Sequence, residues 1–284
     1  MAIKDLISDV VEQSPNRRSL LKKIGIATAA TGAALATGGL KLRADPSSPT
    51  VVDVLQFALN LEYLEAEFYT TATMGKTIDQ VGIGISGSGR SGPTTGWHQV
   101  NFSNSTVFTG TVANQIGNDE RNHVTLLRTA LSNAGVEPIA KPELNLDALG
   151  IGFGNEAQFL TLARVFEDIG VSAYGGAAQL SSVTTSPYIG TAARILAAEA
   201  EHVANIRLQV ARLAIATSKL DSVDIIPPPS GTYFFSVDPS TGLTAIRTPA
   251  QVLYLAYNAA NATSGGFFPN GVNGNLHTSS SSPA

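Results

Sequence analysis

Four stretches of the chain repeat apolar residues at the three- and four-residue spacing that turns one face of an α-helix toward a core. The first runs from Val51 to Met74, with Thr50 and Asp53 placed as a capping box at its start and Gly75 as its stop. The second spans about Thr111 to Asn133 and ends at Ala134-Gly135, the third follows a cap at Asn155 and reaches about Leu180, and the fourth covers about Tyr188 to Thr217. Pro138 and Pro142 mark a connection between the second and third that is long enough to cross a bundle. Residues 75–110 are rich in Gly, Ser, Thr and Asn, which predicts a long loop of the kind that covers a site. After Pro227-Pro228-Pro229 the helical pattern stops. Residues 233–237 read as a short strand or extended arm, Thr248-Pro249 opens a short fifth helix through Ala260, and the remainder reads as a polar tail. The pattern predicts an all-α four-helix bundle with a crossover between its second and third helices, a short fifth helix and an irregular C-terminal arm.

Upstream of the first helix the chain changes character. Asn16-Arg17-Arg18-Ser19-Leu20-Leu21-Lys22-Lys23 precedes a mildly apolar run of 17 residues from Ile24 to Leu40, short and glycine-rich for a membrane span. This reads as a twin-arginine export signal, with a basic amphipathic surface helix as the alternative. Ala34-Leu35-Ala36 fits the small-x-small cleavage rule, and an uncleaved signal would serve as an anchor. The expected organisation is a signal and linker over 1–44, the bundle over 45–225 and the arm over 226–284. The expected destination is the periplasm or the extracellular space, reached in folded form through the twin-arginine export machinery.

Composition narrows the chemistry. The chain has 284 residues, 43% of them hydrophobic and 14% charged, enough to bury a sizeable core. It has no cysteine, which excludes disulfide frameworks, thiolate zinc sites, iron–sulfur clusters and thiol nucleophiles. Any metal must sit on nitrogen and oxygen, and only His98, His123, His202 and His277 supply imidazole. The first 44 residues carry seven basic and three acidic groups, so a net charge of −4 divides into +4 there and −8 on the rest. An acidic body argues against nucleic-acid binding.

Two of the four histidines fall in one motif. The second helix carries Glu120-Arg121-Asn122-His123 and the fourth carries Glu199-Ala200-Glu201-His202, and an i,i+3 spacing places each Glu and His on one helical face. With 11 Glu and 4 His in the chain, chance predicts about 0.15 such spacings, so two on separate helices point to a shared purpose. Val124 and Arg128 follow the first motif as Val203 and Arg207 follow the second, at a constant offset of 79. The other two helices match each other as well: Glu62 is followed seven residues later by Tyr69, and Glu167 by Tyr174.

One Glu from each of two helices and Glu-x-x-His from each of the other two is the ligand set of the ferritin-like di-iron and di-manganese proteins. The chain resembles a ferritin-like domain protein of the branch related to desiccation- and stress-associated proteins. Leu55 to Tyr69 is similar to that branch's first helix and Gly265-Gly266-Phe267-Phe268-Pro269-Asn270-Gly271 to its C-terminal segment. The resemblance implies two metal ions, iron or manganese. Glu62 and Glu167 would be terminal ligands, Glu120 and Glu199 bridging carboxylates, and His123 and His202 one imidazole per metal. It further implies reaction of the reduced metals with peroxide or dioxygen, with Fe(II) as a substrate to be oxidised, as a ferroxidase- or catalase-like oxidoreductase, and it leaves room for a low-order homo-oligomer. The alternative is a non-catalytic stress protein whose metals only hold the bundle together.

The neighbouring residues receive quieter readings. Glu65, one turn from Glu62, could replace it or support it from outside, and Tyr69 and Tyr174 read as core aromatics whose hydroxyls bond a ligand carboxylate. Glu67 and Glu201 are expected to be solvated. Asp119 and Asp168 are expected in salt bridges to Arg121, Arg164 or Arg128. His98 is a loop histidine that could belong to a lid, and His277 receives no role.

Overall fold

The first helix, α1 (Val51–Met74), begins where the sequence places it. Thr50 Oγ1 accepts from Asp53 N at 3.2 Å while the Asp53 carboxylate accepts from Thr50 N at 2.8 Å, so two of the free N–H groups at the helix start are satisfied reciprocally. Gly75 ends it in the left-handed region (φ 63°), where an L side chain is disfavoured. The computed structural model describes residues 48–102, 109–216 and 228–284, and Ser48–Ala284 forms one unit. The twin-arginine signal expected over 1–44 and the expected break at Pro227 lie outside the described residues.

Among the described residues the remaining α-helices are α2 (Thr109–Asn133), α3 (Glu156–Ala177), the single turn α4 (Ser181–Thr184), α5 (Ile189–Arg212) and α6 (Pro249–Tyr257). Asn155 caps α3 by accepting from Gln158 N at 3.0 Å, and Thr248 with Gln251 repeats the capping box at α6. The fourth long helix thus stops at Arg212, short of the expected Thr217, and the fifth ends at Asn258 in a left-handed cap, short of Ala260. No helix among the described residues is long and apolar enough to cross a membrane.

Helix α1 packs chiefly on α2, and α3 on α5, giving two helix pairs joined by the crossover over 134–155. Helices α2 and α5 bury one stripe each, Ala113, Ile116, Glu120, His123, Val124 and Leu127 on the first and Ile195, Glu199, His202, Val203 and Ile206 on the second. Helices α1 and α3 are buried almost all round, because the long loop and the C-terminal segment cover their outer faces. The loop after α1 is fastened to the crossover by a two-residue parallel pair, β1 (Thr94–Thr95) with β2 (Leu144–Asn145), and by a bridge from Ser88 to Ile139. It is a pinned cover.

The C-terminal segment departs from the expected polar tail. Asn60, fully buried on α1, donates to Asn273 O at 2.9 Å and accepts from Asn273 N at 3.0 Å. Ser279 N donates to Ala262 O at 2.8 Å, and Ser280 N to Ala250 O at 2.9 Å. Polar residues here supply hydrogen bonds to buried backbone, so their polarity does not mean exposure. The 233–237 segment likewise forms only isolated bridges, Ser230 to Tyr233 and Val237 to Thr244, in place of a strand.

Candidate metal centre

The apolar stripes of α2 and α5 are interrupted at the same height, and the interruptions meet. Glu120 and His123 face Glu199 and His202, with the imidazole centroids 6.4 Å apart. Glu62 from α1 and Glu167 from α3 complete the ring, and all four carboxylates are fully buried. One ligand atom from each of Glu62, Glu120, His123 and Glu199 lies within 4.8 Å of the others, and the same holds for Glu120, Glu167, Glu199 and His202. Glu120 and Glu199 belong to both groups. The six residues singled out from the sequence are therefore brought together, two to a side around two shared carboxylates.

The detailed contacts favour a cation over hydrogen bonding as the partner of these atoms. His123 Nδ1 lies 3.2 Å from Glu120 Oε2, 3.3 Å from Glu62 Oε2 and 3.4 Å from Glu199 Oε1. One ring nitrogen carries at most one hydrogen and cannot serve three acceptors. His202 Nδ1 lies 3.0 Å from Glu120 Oε1 and 3.4 Å from Glu167 Oε2, both off hydrogen-bond geometry. Glu62 Oε2, Glu120 Oε1, Glu167 Oε2 and both oxygens of Glu199 are buried without a hydrogen-bond partner. Such atoms cost free energy unless something else coordinates them. Carboxylate oxygen with imidazole nitrogen is a donor set that suits divalent first-row metals, so the residues present fit a metal site.

The surrounding side chains aim these ligands. Tyr69 on α1 donates to Glu167 Oε1 on α3, and Tyr174 on α3 donates to Glu62 Oε1 on α1. Glu65 is buried beside the cluster but falls in neither group of four. A Cβ on Gly170 would lie 3.0 Å from Glu199 Oε2 and 3.2 Å from Glu65 Oε1, which puts those two carboxylates side by side against the bare backbone of α3. Asp119, with its side chain 47% exposed, lies 3.4 Å from His202 Nε2, on the ring nitrogen opposite the cluster. A carboxylate there orients the imidazole and raises its basicity.

Without metal the charges strain one another. Burial holds the Glu65 and Glu199 carboxyls well above the usual carboxylate range, and the neighbouring glutamates push the same way. Glu62 is pushed to about 7 by burial, against the opposing pull of His123. Burial would raise Glu120 too, yet the close contacts and positive charges of His123 and His202 outweigh it and hold the group at about 2. Burial disfavours charge on both histidines, but the carboxylates overcome it, raising His123 and pushing His202 up to about 12. Two divalent cations with neutral imidazoles would cancel four carboxylates outright.

The ferritin-like domain family matches residues 50–212, more than half of the chain. The chain belongs to that family. No curated protein sequence matches it. The ferritin-like segment thus covers all four long helices and every residue of the cluster.

Several expectations about neighbouring residues are corrected by the ferritin-like fold. Glu67 is fully buried, accepting from Ile78 N at 3.2 Å and lying 3.5 Å from Lys141 Nζ, because the pinned loop closes over α1 at that point. Asp168 pairs with Arg164 at 2.6 Å as expected, and also with Arg207 at 2.7 Å. Arg207 Nε in turn donates to Phe234 O at 2.6 Å, so this buried network ties α3, α5 and the C-terminal arm. Arg128, at the matching place on α2, donates to Tyr63 Oη at 2.6 Å and to Ser86 O at 2.8 Å, pinning the loop. Asp119 lies against His202, and its charge also acts on Arg121. Glu201 is exposed as expected, and His98 and His277 are exposed and outside the cluster.

Proposed function

We propose that the cluster holds two iron or manganese ions, with Glu62 and His123 closing one position, Glu167 and His202 the other, and Glu120 and Glu199 shared between them. The observation that carries this reading is the overlap of two four-residue groups at Glu120 and Glu199. When bound, such metals would supply redox chemistry toward peroxide or dioxygen, with Fe(II) as an electron donor. The chain's own part is to hold the ligands in a dry bundle centre, with Tyr69 and Tyr174 fixing the outer carboxylates and Glu65 supporting them from beside Glu199. Export by the twin-arginine route, suggested by Arg17-Arg18 and the apolar run that follows, would carry the loaded, folded protein to the periplasm or beyond. There it would serve in protection against oxidative or drying stress.

A second reading is favoured by the charge of the cluster. Five buried glutamates repel one another strongly enough that metals would stabilise the bundle whether or not they turn over. The two readings part on one experiment. Elemental analysis of the protein from its native envelope should give two equivalents of iron or manganese, and the loaded protein should consume peroxide or Fe(II). Glu120→Ala should abolish that consumption. Equal rates in the variant would overturn the catalytic reading, and a chelator-induced fall in Tm without any turnover would establish the structural one.

A further inference from the structure

The two halves of the cluster are alike in their ligands and unlike in what lies behind their tyrosines. An offset of 105 relates Glu62 and Tyr69 to Glu167 and Tyr174, and each tyrosine donates to the glutamate of the opposite helix. Behind Tyr69 the space is filled by rings. Its own ring lies 5.0 Å from Phe68 and 5.7 Å from Phe159, and Phe68 packs within 5.1 Å of Phe153, Phe159 and Phe166. Behind Tyr174 there is an apolar pocket of about 50 Å³, partly open to solvent and lined by Ala58, Leu127, Ala130, Ala177 and Ala192, with the Tyr174 ring in its lining. Alanine at four of those positions leaves the room that phenylalanine takes on the other side.

We propose that this cavity is a binding site for a small uncharged apolar molecule of the size of dioxygen, held against Tyr174 beside the Glu62 half of the cluster. The volume is several times the roughly 10–15 Å³ that a water molecule needs, but a water also needs two to four polar partners. The wall offers almost none. Tyr174 commits its hydroxyl to Glu62, Tyr188 donates to Ala130 O at 3.3 Å, and Thr191 is the one further polar side chain in the lining. Hydrogen peroxide and hydrated cations carry the same need for hydrogen bonds as water, so the cavity selects against them. A diatomic apolar gas has no such need and gains dispersion contacts on entering. Polar ligands have a different approach, an open groove along Thr111, Asn114, Gln115 and Asn118 that reaches Asp119 and hence the back of His202.

The dioxygen assignment rests on the dimetal reading above, whereas the binding of an apolar molecule does not. Xenon is therefore the first probe. Crystals of the purified protein under xenon pressure are expected to show one xenon against Tyr174, lost in Ala177→Phe and in Ala192→Leu, two independent variants that fill the cavity from different helices. Ordered water in the cavity, or xenon retained in both variants, would overturn the proposal. The second measurement uses protein loaded with Fe(II). Oxidation by dioxygen is expected to slow several-fold in the filled variants while oxidation by hydrogen peroxide keeps the wild-type rate. Equal slowing with both oxidants, or with neither, would overturn the dioxygen assignment. Failure of the dimetal reading is visible separately, as a protein that takes xenon but binds no iron or manganese.

Discussion

Tyr174 on α3 donates its phenolic hydrogen to Glu62 Oε1 on α1, leaving Glu62 Oε2 as the oxygen that faces the cluster without a hydrogen-bond partner. Tyr69 and Glu167 repeat the arrangement in the other direction, again with Oε1 held and Oε2 open. Each outer carboxylate is thus gripped on one oxygen by the helix across from it. The grip fixes the carboxylate's rotation, so that one oxygen is pre-aimed at a metal and neither has to be ordered when the metal arrives.

Tyr174→Phe is expected to fold, to keep two metal positions and to bind metal more weakly by roughly 10- to 100-fold at the Glu62 position, the usual effect of losing a group that orients a ligand. Tyr69→Phe should do the same at the Glu167 position. Calorimetric titration with Mn(II) measures both. Unchanged affinity in both variants would show that the tyrosines only fill space.

The shared and outer carboxylates predict different stoichiometries. Glu62→Gln removes a charge from one group of four and is expected to leave one metal bound. Glu120→Gln alters a member of both groups and is expected to lose both ions, or to hold the remaining one far more loosely. Metal-to-protein ratios after gel filtration check this directly. Two ions retained in Glu120→Gln would show that the positions do not share that ligand.

The chemistry of this chain was more legible in its sequence than the architecture around it. Glu-x-x-His is visible because a helix converts a spacing of three into a shared face, and the 79- and 105-residue offsets mark matched helices without any knowledge of their packing. Helix starts were equally plain where a cap is local, at Thr50, Asn155 and Thr248. What depended on distant partners was not. Glu67 looks like a solvent-facing acid until Lys141, 74 residues away, is folded beside it, and Asn60 looks unremarkable until Asn273 meets it across 213 residues. Arg207 matched Arg128 by offset, yet one braces the C-terminal arm and the other the loop. Long-range pairing of polar groups leaves no periodic trace along the chain.

The Glu67–Lys141 pair holds the cover in place. Lys141 Nζ also donates to Gly92 O at 2.8 Å and to Thr94 Oγ1 at 2.9 Å, so one buried ammonium joins α1, the loop and the crossover. Lys141→Met is expected to destabilise by about 3–5 kcal/mol, the effect of leaving a buried charge without its partner. Adding Glu67→Leu to it should recover part of that loss, because the stranded charge is then gone. Chemical denaturation of the single and double variants tests the idea. A double variant no more stable than the single one would mean that the loop contacts dominate over the charge.

Glycine 170 stands where α1 has Glu65, and its missing side chain keeps the shared carboxylate in place. A Cβ at this position would sit 3.0 Å from Glu199 Oε2, closer than ordinary van der Waals contact, and Glu65 Oε1 at 3.2 Å limits any escape on that side. Gly170→Ala is expected to displace Glu199 and weaken metal binding while the protein still folds. Gly176→Ala serves as the contrast, since a Cβ there would overlap Arg247 O at 1.8 Å, away from the cluster. That variant should lower Tm by an amount corresponding to about 1–3 kcal/mol and leave metal affinity alone. The reverse pattern would place Gly170 among purely structural glycines.

The charge of the metal-free cluster sets the sign of its pH dependence. Glu65 and Glu199 are held above their ordinary value of 4.5, Glu62 is pushed to about 7, and His202 rises from 6.5 to about 12. Each of these groups binds its proton more tightly folded than unfolded. Their contribution to stability is therefore complete below the unfolded values and is lost as pH rises through the folded ones. Glu120, held at about 2, works in the opposite direction but only below 4.5, so it contributes no slope above that pH. Chelator-treated protein is accordingly expected to be more stable at pH 5 than at pH 9, falling by about 1.4 kcal/mol per pH unit for each proton retained only in the folded state. Metal reverses the sign. Ions displace those protons and bind the deprotonated ligands, so the loaded protein should lose stability on acidification and release protons into unbuffered solution as metal is added. Melting curves of both forms across this range decide the matter: parallel profiles would mean that the metals do not occupy the protonated cluster, and crossed profiles place them among these carboxylates and imidazoles.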